Sequence, residues 1–204
     1  MTDSSPDLPT TTARGRKGEE KRSRLVAAAR RTVHERGVEH STIADIAEAA
    51  DVPLGNVYYY FKTKDDLLAA VLASYDGDYA LLRSILSQHD DPRDRLKALV
   101  VTWTMAKERI ASYGCPIGSL CSELGKRPPD QISDAAGVVL AKLVVVAEEL
   151  FEALGRSDAH DLAITLVAAY EGAALLSHAM HDPEILADHA ARLTSWIDSL
   201  EASI

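Results

Sequence analysis

The segment from Thr42 to Lys64, with the sequence TIADIAEAADVPLGNVYYYFKTK, constrains the fold of this chain more than any other stretch. Its apolar residues recur at helical spacing on both sides of Asp51-Val52-Pro53, a cluster that favours a turn. The pattern predicts a short helix capped by Ser41 or Thr42, a tight turn, and a second short helix over about 54–61. Two short helices joined in this way form a helix-turn-helix, whose second helix can enter the major groove of DNA.

Helical periodicity continues through the rest of the chain, and no other segment shows the alternating pattern of a half-buried strand. A first helix is predicted over about 19–36, before Gly37, and a fourth begins at Thr63. The run Val144-Val145-Val146 is β-branched, but it lies in a long stretch without turn signals and therefore favours a buried helix. Further helices are predicted over about 92–113, 116–125, 132–154, 158–181 and 183–200. The sequence thus predicts an all-α protein of about nine helices.

Charge is distributed unevenly along the chain, whose formal net charge is −9. Residues 1–64 carry 11 Lys and Arg against 9 Asp and Glu, whereas residues 65–204 carry 11 against 22. A small basic part on an acidic body is typical of a protein that binds a polyanion through one domain. From charge alone, a solvated basic helix face without a partner is an equal alternative. The basic residues before the motif include Arg14, Arg16 and Lys17, which we assign to DNA binding.

Composition and cysteine content indicate an ordinary globular protein of a reducing compartment. The chain is 47% hydrophobic and 26% charged, and no uninterrupted apolar run approaches the roughly 18 residues of a membrane span. Residues 1–18 are predicted to be a disordered arm and lack the apolar region of a secretory signal. Cys115 and Cys121 are too few for a disulfide framework. We expect a cytoplasmic protein without membrane contact.

The second helix of the motif carries side chains suited to both bases and phosphates. The Asn56 amide can make a bidentate contact to adenine, and Leu54 can touch a thymine methyl group. Tyrosine hydroxyls, the helix start at Thr42 and the Lys64 ammonium can hold phosphates, while Val57 and Phe61 are predicted to face the core. The residues predicted from this pattern to contact DNA are Thr42, Leu54, Gly55, Asn56, Tyr58, Tyr59, Tyr60 and Lys64.

This motif resembles the N-terminal signature of the tetracycline-repressor (TetR) family of bacterial regulators over roughly residues 20–72. The matching positions are Thr42, Ile46, Ala47, Ala50, Val52, Gly55, Tyr58, Tyr60, Phe61, Lys64 and Leu67. Two positions depart from the family pattern. Asp51 stands where a turn glycine is usual, and Pro53 stands where a serine usually caps the recognition helix. Both changes bear on how the third helix begins and therefore on its base preference.

The resemblance implies a DNA-binding regulator rather than an enzyme, with no cofactor and no metal. It implies that Thr42, Tyr58, Tyr59 and Lys64 hold phosphates, and that Ala44, Leu54, Asn56 and Tyr58 lie near base edges. It further implies a helix-turn-helix domain over 19–72 and a helical ligand-binding and dimerisation domain over 73–204. We expect a homodimeric repressor that binds a palindromic operator in double-stranded DNA and is released by a small-molecule effector.

Two sets of residues are assigned to the helical body. The apolar positions of the last two long helices exceed what one amphipathic helix needs, and two-fold dimers suit palindromic sites. The predicted dimer residues are Leu162, Leu166, Ala169, Ala173, Leu176, Leu193, Trp196, Ile197 and Leu200, with intramolecular packing as the alternative. The candidate pocket residues are Trp103, Met105, Tyr113, Cys115, Phe151 and Tyr170, which at helical spacing are otherwise core.

Cys115 carries a second hypothesis. It precedes Pro116 at a predicted helix start, where exposed N–H groups would lower its thiol pKa. The segment GCPIGSLC resembles one in a subgroup of these regulators, some of which sense electrophiles or oxidants through a cysteine. A small buried residue at a turn is the alternative. A cysteine-dependent enzyme and a helical scaffold are further alternatives, and the neighbouring histidines His178, His181 and His189 are assigned no metal.

Overall fold

The computed structural model describes residues 11–201, with side chains from residue 15 onward. This part of the chain forms ten α-helices and contains no strand, which confirms the all-α prediction. The helices are α1 (Thr11–Arg36), α2 (Ile43–Ala49), α3 (Leu54–Tyr60), α4 (Lys64–Leu86), α5 (Pro92–Thr104), α6 (Lys107–Tyr113), α7 (Pro116–Leu124), α8 (Gln131–Ala153), α9 (Ala159–Met180) and α10 (Pro183–Ser199).

Helices α1 to α3 and the first turns of α4 form an N-terminal head around its own part of the core. Val57 of α3 and Phe61 after it are buried, as the sequence predicted, together with Leu25 of α1. Threonines fix the starts of α2 and α4 through reciprocal capping boxes. Thr42 Oγ1 accepts from the Asp45 N–H at 3.1 Å, and Thr63 Oγ1 accepts from the Asp66 N–H at 3.0 Å.

The turn between α2 and α3 has the left-handed backbone that the family pattern assigns to glycine. Asp51 adopts φ 52°, and its N–H donates to the Glu48 carbonyl at 3.0 Å. Val52 is buried beneath this turn. Pro53 precedes α3 without a side-chain cap, but its carbonyl accepts from the Asn56 N–H at 2.8 Å. Aspartate tolerates this conformation because its short polar side chain is compatible with the left-handed region.

Helix α1 begins earlier than the sequence predicted. The expected disordered arm covered residues 1–18, but residues 11–18 continue α1 upstream of Glu19, while residues 1–10 lie outside the described part. Gly15 and Gly18 fall within this stretch and do not interrupt it. Once a helix is nucleated by its packed part, each added residue costs little, so an isolated glycine is tolerated.

The predicted helix over 92–113 is divided into α5 and α6. Ala106 leaves the helical region at φ −115° and ψ 21°, and Met105 donates to the Thr102 carbonyl in a tighter turn. The preceding Thr102-Trp103-Thr104 run has low helix propensity, which accounts for a break without glycine or proline.

Helices α5 to α10 form the body, and α4 extends from the head into it. Helix α9 packs against α6, α8 and α10 and contributes Leu166, Val167 and Ala163 to the interior. By length and composition, α9 is the one helix among the described residues that is apolar enough to span a membrane. Its contacts are those of a core helix in a bundle.

Candidate functional site

The second helix of the motif, α3, presents its predicted contact residues to solvent. Leu54, Gly55, Asn56 and Tyr58 are exposed, and Tyr59 has 77% of its surface accessible. Ala44 of α2, assigned near the bases from the family resemblance, is exposed as well. A large aromatic residue this exposed is unusual in a soluble protein unless its surface serves binding.

Tyr60 differs from its two neighbours. It is half-buried, and its ring meets the Tyr59 ring edge-on at a centroid distance of 5.1 Å. Its hydroxyl faces Gly18 of α1, where an added Cβ would lie 3.8 Å away. The α1 extension therefore packs beside α3 and leaves Tyr58 and Tyr59 as the outward tyrosines.

Two predicted phosphate ligands already have intramolecular partners. The Thr42 hydroxyl donates to Asp45 Oδ2 at 2.6 Å, and this contact lowers the pKa of the Asp45 carboxyl. A phosphate at this helix start would share the exposed N–H groups with a carboxylate. The Lys64 ammonium donates to the Val38 carbonyl, which ties α4 to the loop after α1. An ammonium has three donors, so Lys64 retains further capacity for a phosphate.

Some basic residues of α1 are exposed, whereas others form contacts within the protein. Arg16 and Lys17 are exposed, and the Arg14 side chain lies outside the described residues. Arg30 pairs with Asp78 and lies 4.3 Å above the Tyr75 ring centroid, so it joins α1 to α4. Positive charge near α3 thus comes from the first turns of α1 and from Lys62 and Lys64, which follow α3.

The predicted dimer residues fall into two groups. Leu166, Ala173, Leu193 and Ile197 are buried within the protomer, so their assignment to a partner surface is wrong. These positions lie on the inner stripes of α9 and α10, because both helices bury one face against the body. Those that keep some accessible surface are Leu162, Ala169, Leu176, Trp196 and Leu200.

An apolar surface does run along α9, on residues that mostly differ from the predicted ones. Its large members are Ile164, Leu175, Leu176 and Met180, which we call the α9 face. Gly172 is exposed between them, and Leu175 and Leu176 expose 67% and 54% of their surface. Exposed apolar side chains concentrated on one helix make it a candidate interaction surface.

The predicted pocket residues do not form one site. Met105 is exposed at the break between α5 and α6, Tyr113 lies edge-on to His34, and Phe151 is fully buried beside Trp196. These placements contradict their assignment to a common cavity. Trp103 and Tyr170 stack on each other at 4.2 Å within a small apolar cluster of the body.

Cys115, one of the six, lines a cavity that lies between α7 and α9 and has a volume of about 380 Å³. Its lining residues are Gly114, Cys115, Gly118, Ser119, Ser122, Glu171, Gly172, Leu175 and His178. Glu171 Oε1 accepts a hydrogen bond from the Cys115 thiol, with 3.2 Å between the oxygen and Sγ. The volume lies in the range of small-molecule sites.

The Glu171 carboxyl fits directly against the backbone of α7. A Cβ added to Gly118 would lie 2.2 Å from Glu171 Oε2, so a side chain at position 118 would require this carboxyl to move. Burial raises the pKa of Glu171, and the Cys115 hydrogen bond partly opposes this effect. His178 Nδ1 lies 3.2 Å from the Ala111 carbonyl, which fixes the proton on Nδ1 and leaves Nε2 as an acceptor in the neutral ring.

The surroundings of Cys115 do not support the thiol-sensor hypothesis. The Gly118 N–H does donate to its Sγ at 3.4 Å, as a helix start predicts. Burial and the neighbouring Glu171 charge outweigh this donor and raise the pKa of Cys115 to about 12. Burial likewise raises the pKa of Cys121 to about 11. A thiol protonated at neutral pH is a poor nucleophile.

Native protein should therefore resist alkylation. At pH 7.5 we expect iodoacetamide to modify Cys115 roughly 10³-fold more slowly than a free cysteine, because the thiolate fraction is lower by about that factor. The rate should rise with pH, because below the folded pKa each one-unit increase in pH raises the thiolate fraction about tenfold. Mass spectrometry of native and guanidinium-unfolded samples measures this, and rapid labelling of native Cys115 would contradict the assignment.

The segment over 114–127, which includes cavity-lining residues of α7, also forms hydrogen bonds to the head. Glu123 of α7 accepts from the Val38 N–H at 2.6 Å, and the His34 ring bonds the Gly114 carbonyl at 2.8 Å. Arg127, after α7, forms a bidentate pair with Asp65 of α4 at 2.9 and 2.8 Å and lowers the pKa of that carboxyl. The α7 region thus connects the cavity to the loop before α2 and to the start of α4.

Sequence reasoning missed Glu171, His178 and the glycine-serine wall of this cavity. A usable signal was present, because Glu171 is the only carboxylate between Leu162 and Met180 in an otherwise apolar helix. A buried acidic residue on such a helix calls for a hydrogen-bond or ionic partner. Within residues 15–201 no group of three or more potential metal ligands occurs.

Comparison with known proteins supports this division into head and body. Residues 25–71 match the family model of bacterial regulatory proteins of the tetR family, and residues 92–192 match that of LmrA/YxaF-like transcriptional regulators, C-terminal domain. The transcriptional regulator AcuR of Cereibacter sphaeroides is 30% identical over 192 residues, covering 86% of each chain. The regulator TtgR of Pseudomonas putida is 25% identical, covering 89% of this chain and 90% of TtgR.

Solved structures show the same fold. A TetR transcriptional regulator from Chloroflexus aurantiacus superposes with a TM-score of 0.76 at 25% identity, covering 90% of this chain and 97% of that one. The regulatory protein TetR from Rhodobacter sphaeroides gives 0.71 at 26% identity, covering 85% and 96%. The chain therefore belongs to the TetR family of bacterial transcriptional regulators, which are DNA-binding proteins and not enzymes.

Proposed function

We propose that this regulator is a cytoplasmic homodimeric repressor that a small-molecule effector releases from a palindromic operator. The observation that carries the proposal is the position of α9. This helix carries both the apolar α9 face and Glu171 of the cavity wall, and Leu175 belongs to both. A ligand in the cavity would therefore lie next to the surface through which two copies associate.

The composition of the α9 face and the size of the DNA-binding unit support dimerisation through this face. Gly172 is exposed near Leu175 and Leu176, and because it has no side chain a second helix can approach closely there. A single α3 of two turns contacts few bases, so operator-level affinity requires two heads on one DNA molecule. A two-fold axis through the α9 faces would place two such helices on a palindrome.

DNA contact is assigned to the exposed residues of α3 and to the α1 start. Asn56 and Leu54 are proposed to read bases, while Tyr58, Tyr59 and Lys64 are proposed to hold the phosphate backbone. Arg16 and Lys17 would add contacts without sequence preference, since they act as charges.

Release is proposed to act through α7. The bonds of Glu123 to Val38 and of His34 to Gly114 join the cavity wall to the head. A ligand that favours a different position of α7 or α9 would favour a different separation of the two α3 helices. Couplings of about 1–3 kcal/mol are typical of such linkage and change affinity by roughly 5- to 150-fold.

Footprinting on the DNA upstream of the gene tests the proposal. We expect a palindromic footprint whose half-sites lie in successive major grooves on one side of the duplex. Binding without two-fold symmetry would contradict the dimeric arrangement, and absence of any specific footprint would contradict operator recognition.

Tyr59→Ala should weaken binding to that operator by about tenfold, because each protomer loses a phosphate hydrogen bond of roughly 0.5–1.5 kcal/mol. The loss should be similar for operator and unrelated duplexes, since a phosphate contact carries no sequence information. Fluorescence anisotropy at fixed salt measures it. Met105→Ala, which trims an exposed side chain of the body, is the matched control and should bind as the unmodified protein does. Unchanged affinity in Tyr59→Ala would remove Tyr59 from the interface.

A further inference from the structure

We propose that the cavity between α7 and α9 binds a small organic cation, such as an alkylammonium or guanidinium compound, through the Glu171 carboxylate. The inference rests on the proposed function only in identifying this cation as the effector. It rests otherwise on the charges and hydrogen-bonding groups around the cavity.

Glu171 is a carboxylate without a counter-charge. Among residues 15–201, no Lys, Arg or His forms an ion pair with it, and its one side-chain hydrogen bond is to the weak thiol donor of Cys115. Its second oxygen, Oε2, lies against Gly118 at the cavity wall. A largely buried carboxylate is costly unless it is paired, so Glu171 favours a positively charged group in the cavity.

The other lining groups favour the same ligand chemistry. Ser119 and Ser122 offer hydroxyl oxygens, and the uncharged form of the His178 ring can accept at Nε2, because Nδ1 is used on Ala111. None of the lining residues is a lysine or arginine. An ammonium supplies several donors and a charge to this set of acceptors, whereas an anion would meet Glu171 without compensation.

The size and the walls of the cavity limit the cation. A volume of about 380 Å³ suits a ligand of a few heavy atoms to drug-fragment size, and Leu175 with the glycines gives one side an apolar character. A short alkyl group could contact this side while its ammonium group meets Glu171. Charge-assisted hydrogen bonds are about twice as strong as neutral ones, which gives the selectivity for a cation over its neutral analogue.

A cation bound beside Glu171 would act on both α7 and α9. Helix α7 holds the head through Glu123, and α9 carries Leu175 on the α9 face. A cation bridging Glu171 and the hydroxyls of α7 would therefore change the distance between the two helices that link head and dimer surface.

Calorimetric titration of the full chain tests the inference. The probes are propylammonium, butylammonium, tetramethylammonium and guanidinium chlorides, with butanol as the neutral match and butyrate as the anionic one. We expect at least one cation to bind about tenfold more tightly than butanol, a difference of about 1.4 kcal/mol, and butyrate to bind more weakly than butanol. If no cation exceeds butanol, or if butyrate binds best, the inference is overturned.

Two variants of α9 locate the effect. Glu171→Gln keeps the shape of the side chain and should lower the affinity for the cation by at least about tenfold while leaving that for butanol unchanged. Asp161→Asn removes an exposed carboxylate from the same helix and should bind the cation as the unmodified protein does. Equal cation affinity in Glu171→Gln and the unmodified chain would overturn the assignment. The comparison of cations with butanol on the unmodified chain requires no variant to fold.

Operator binding is measured separately on the same preparation. Intact operator affinity without cation binding rejects the cation site alone. Loss of operator binding by untreated protein would instead reject the proposed function. Cation binding that lowers operator affinity identifies the bound cation as an effector.

Discussion

Replacing Leu176 with glutamate is expected to convert the regulator to a monomer and to lower its operator affinity by about 10³-fold or more. Leu176 projects from the α9 face, and a two-fold axis there would bring both copies of the new carboxylate into one apolar interface. Burying unpaired charges costs several kcal/mol, which exceeds what the replaced contacts contributed. A monomer retains one head, so its binding falls towards the non-specific level.

Light scattering at micromolar concentration and anisotropy on the operator measure the two effects. Val101→Glu is the matched control, because Val101 exposes 55% of its surface against 54% for Leu176 and lies on α5, away from the α9 face. It adds the same charge to the acidic body and should remain dimeric. A dimeric Leu176→Glu variant with normal operator affinity would place the interface elsewhere.

Local patterns predicted the head almost residue by residue. The capping threonines, the buried Val57 and the outward Tyr58 and Tyr59 all follow from short-range periodicity and turn chemistry. The left-handed turn at Asp51 was also predictable, since the family pattern usually has a turn glycine at that position. Only the start of α1 was misplaced, because composition alone does not show how far a packed helix propagates.

The body was predictable in class but not in its functional surfaces. Periodicity shows which side chains a helix buries as a set, yet it does not distinguish burial within the protomer from burial against a partner. Leu166 and Ile197 were therefore assigned to an interface although they lie in the core. The raised thiol pKa of Cys115 depends partly on Glu171, which lies 56 positions further along the chain. No local sequence pattern contains that contact.

Replacing Phe151 with alanine is expected to produce the largest loss of stability in the body, about 3–5 kcal/mol. Phe151 is fully buried on α8, and its ring meets Trp196 of α10 edge-on at 6.0 Å. The variant loses the transfer free energy of the ring and leaves a cavity between helices that can only partly collapse. At about 2–4 °C per kcal/mol for a chain of this size, the expected decrease in Tm is about 10 °C.

Thermal unfolding followed by circular dichroism, at one protein concentration, measures this decrease, since the proposed dimerisation would make Tm concentration-dependent. Leu81→Ala removes a similarly apolar side chain from the exposed surface of α4 and should change stability by less than about 0.5 kcal/mol. In the proposed dimer the body sets the separation of the two heads, so Phe151→Ala should also lose operator binding at a lower temperature than the unmodified protein. A stability change below about 1 kcal/mol would mean that α8 and α10 close the space the ring leaves, so their packing would be more adaptable than a close-packed core allows.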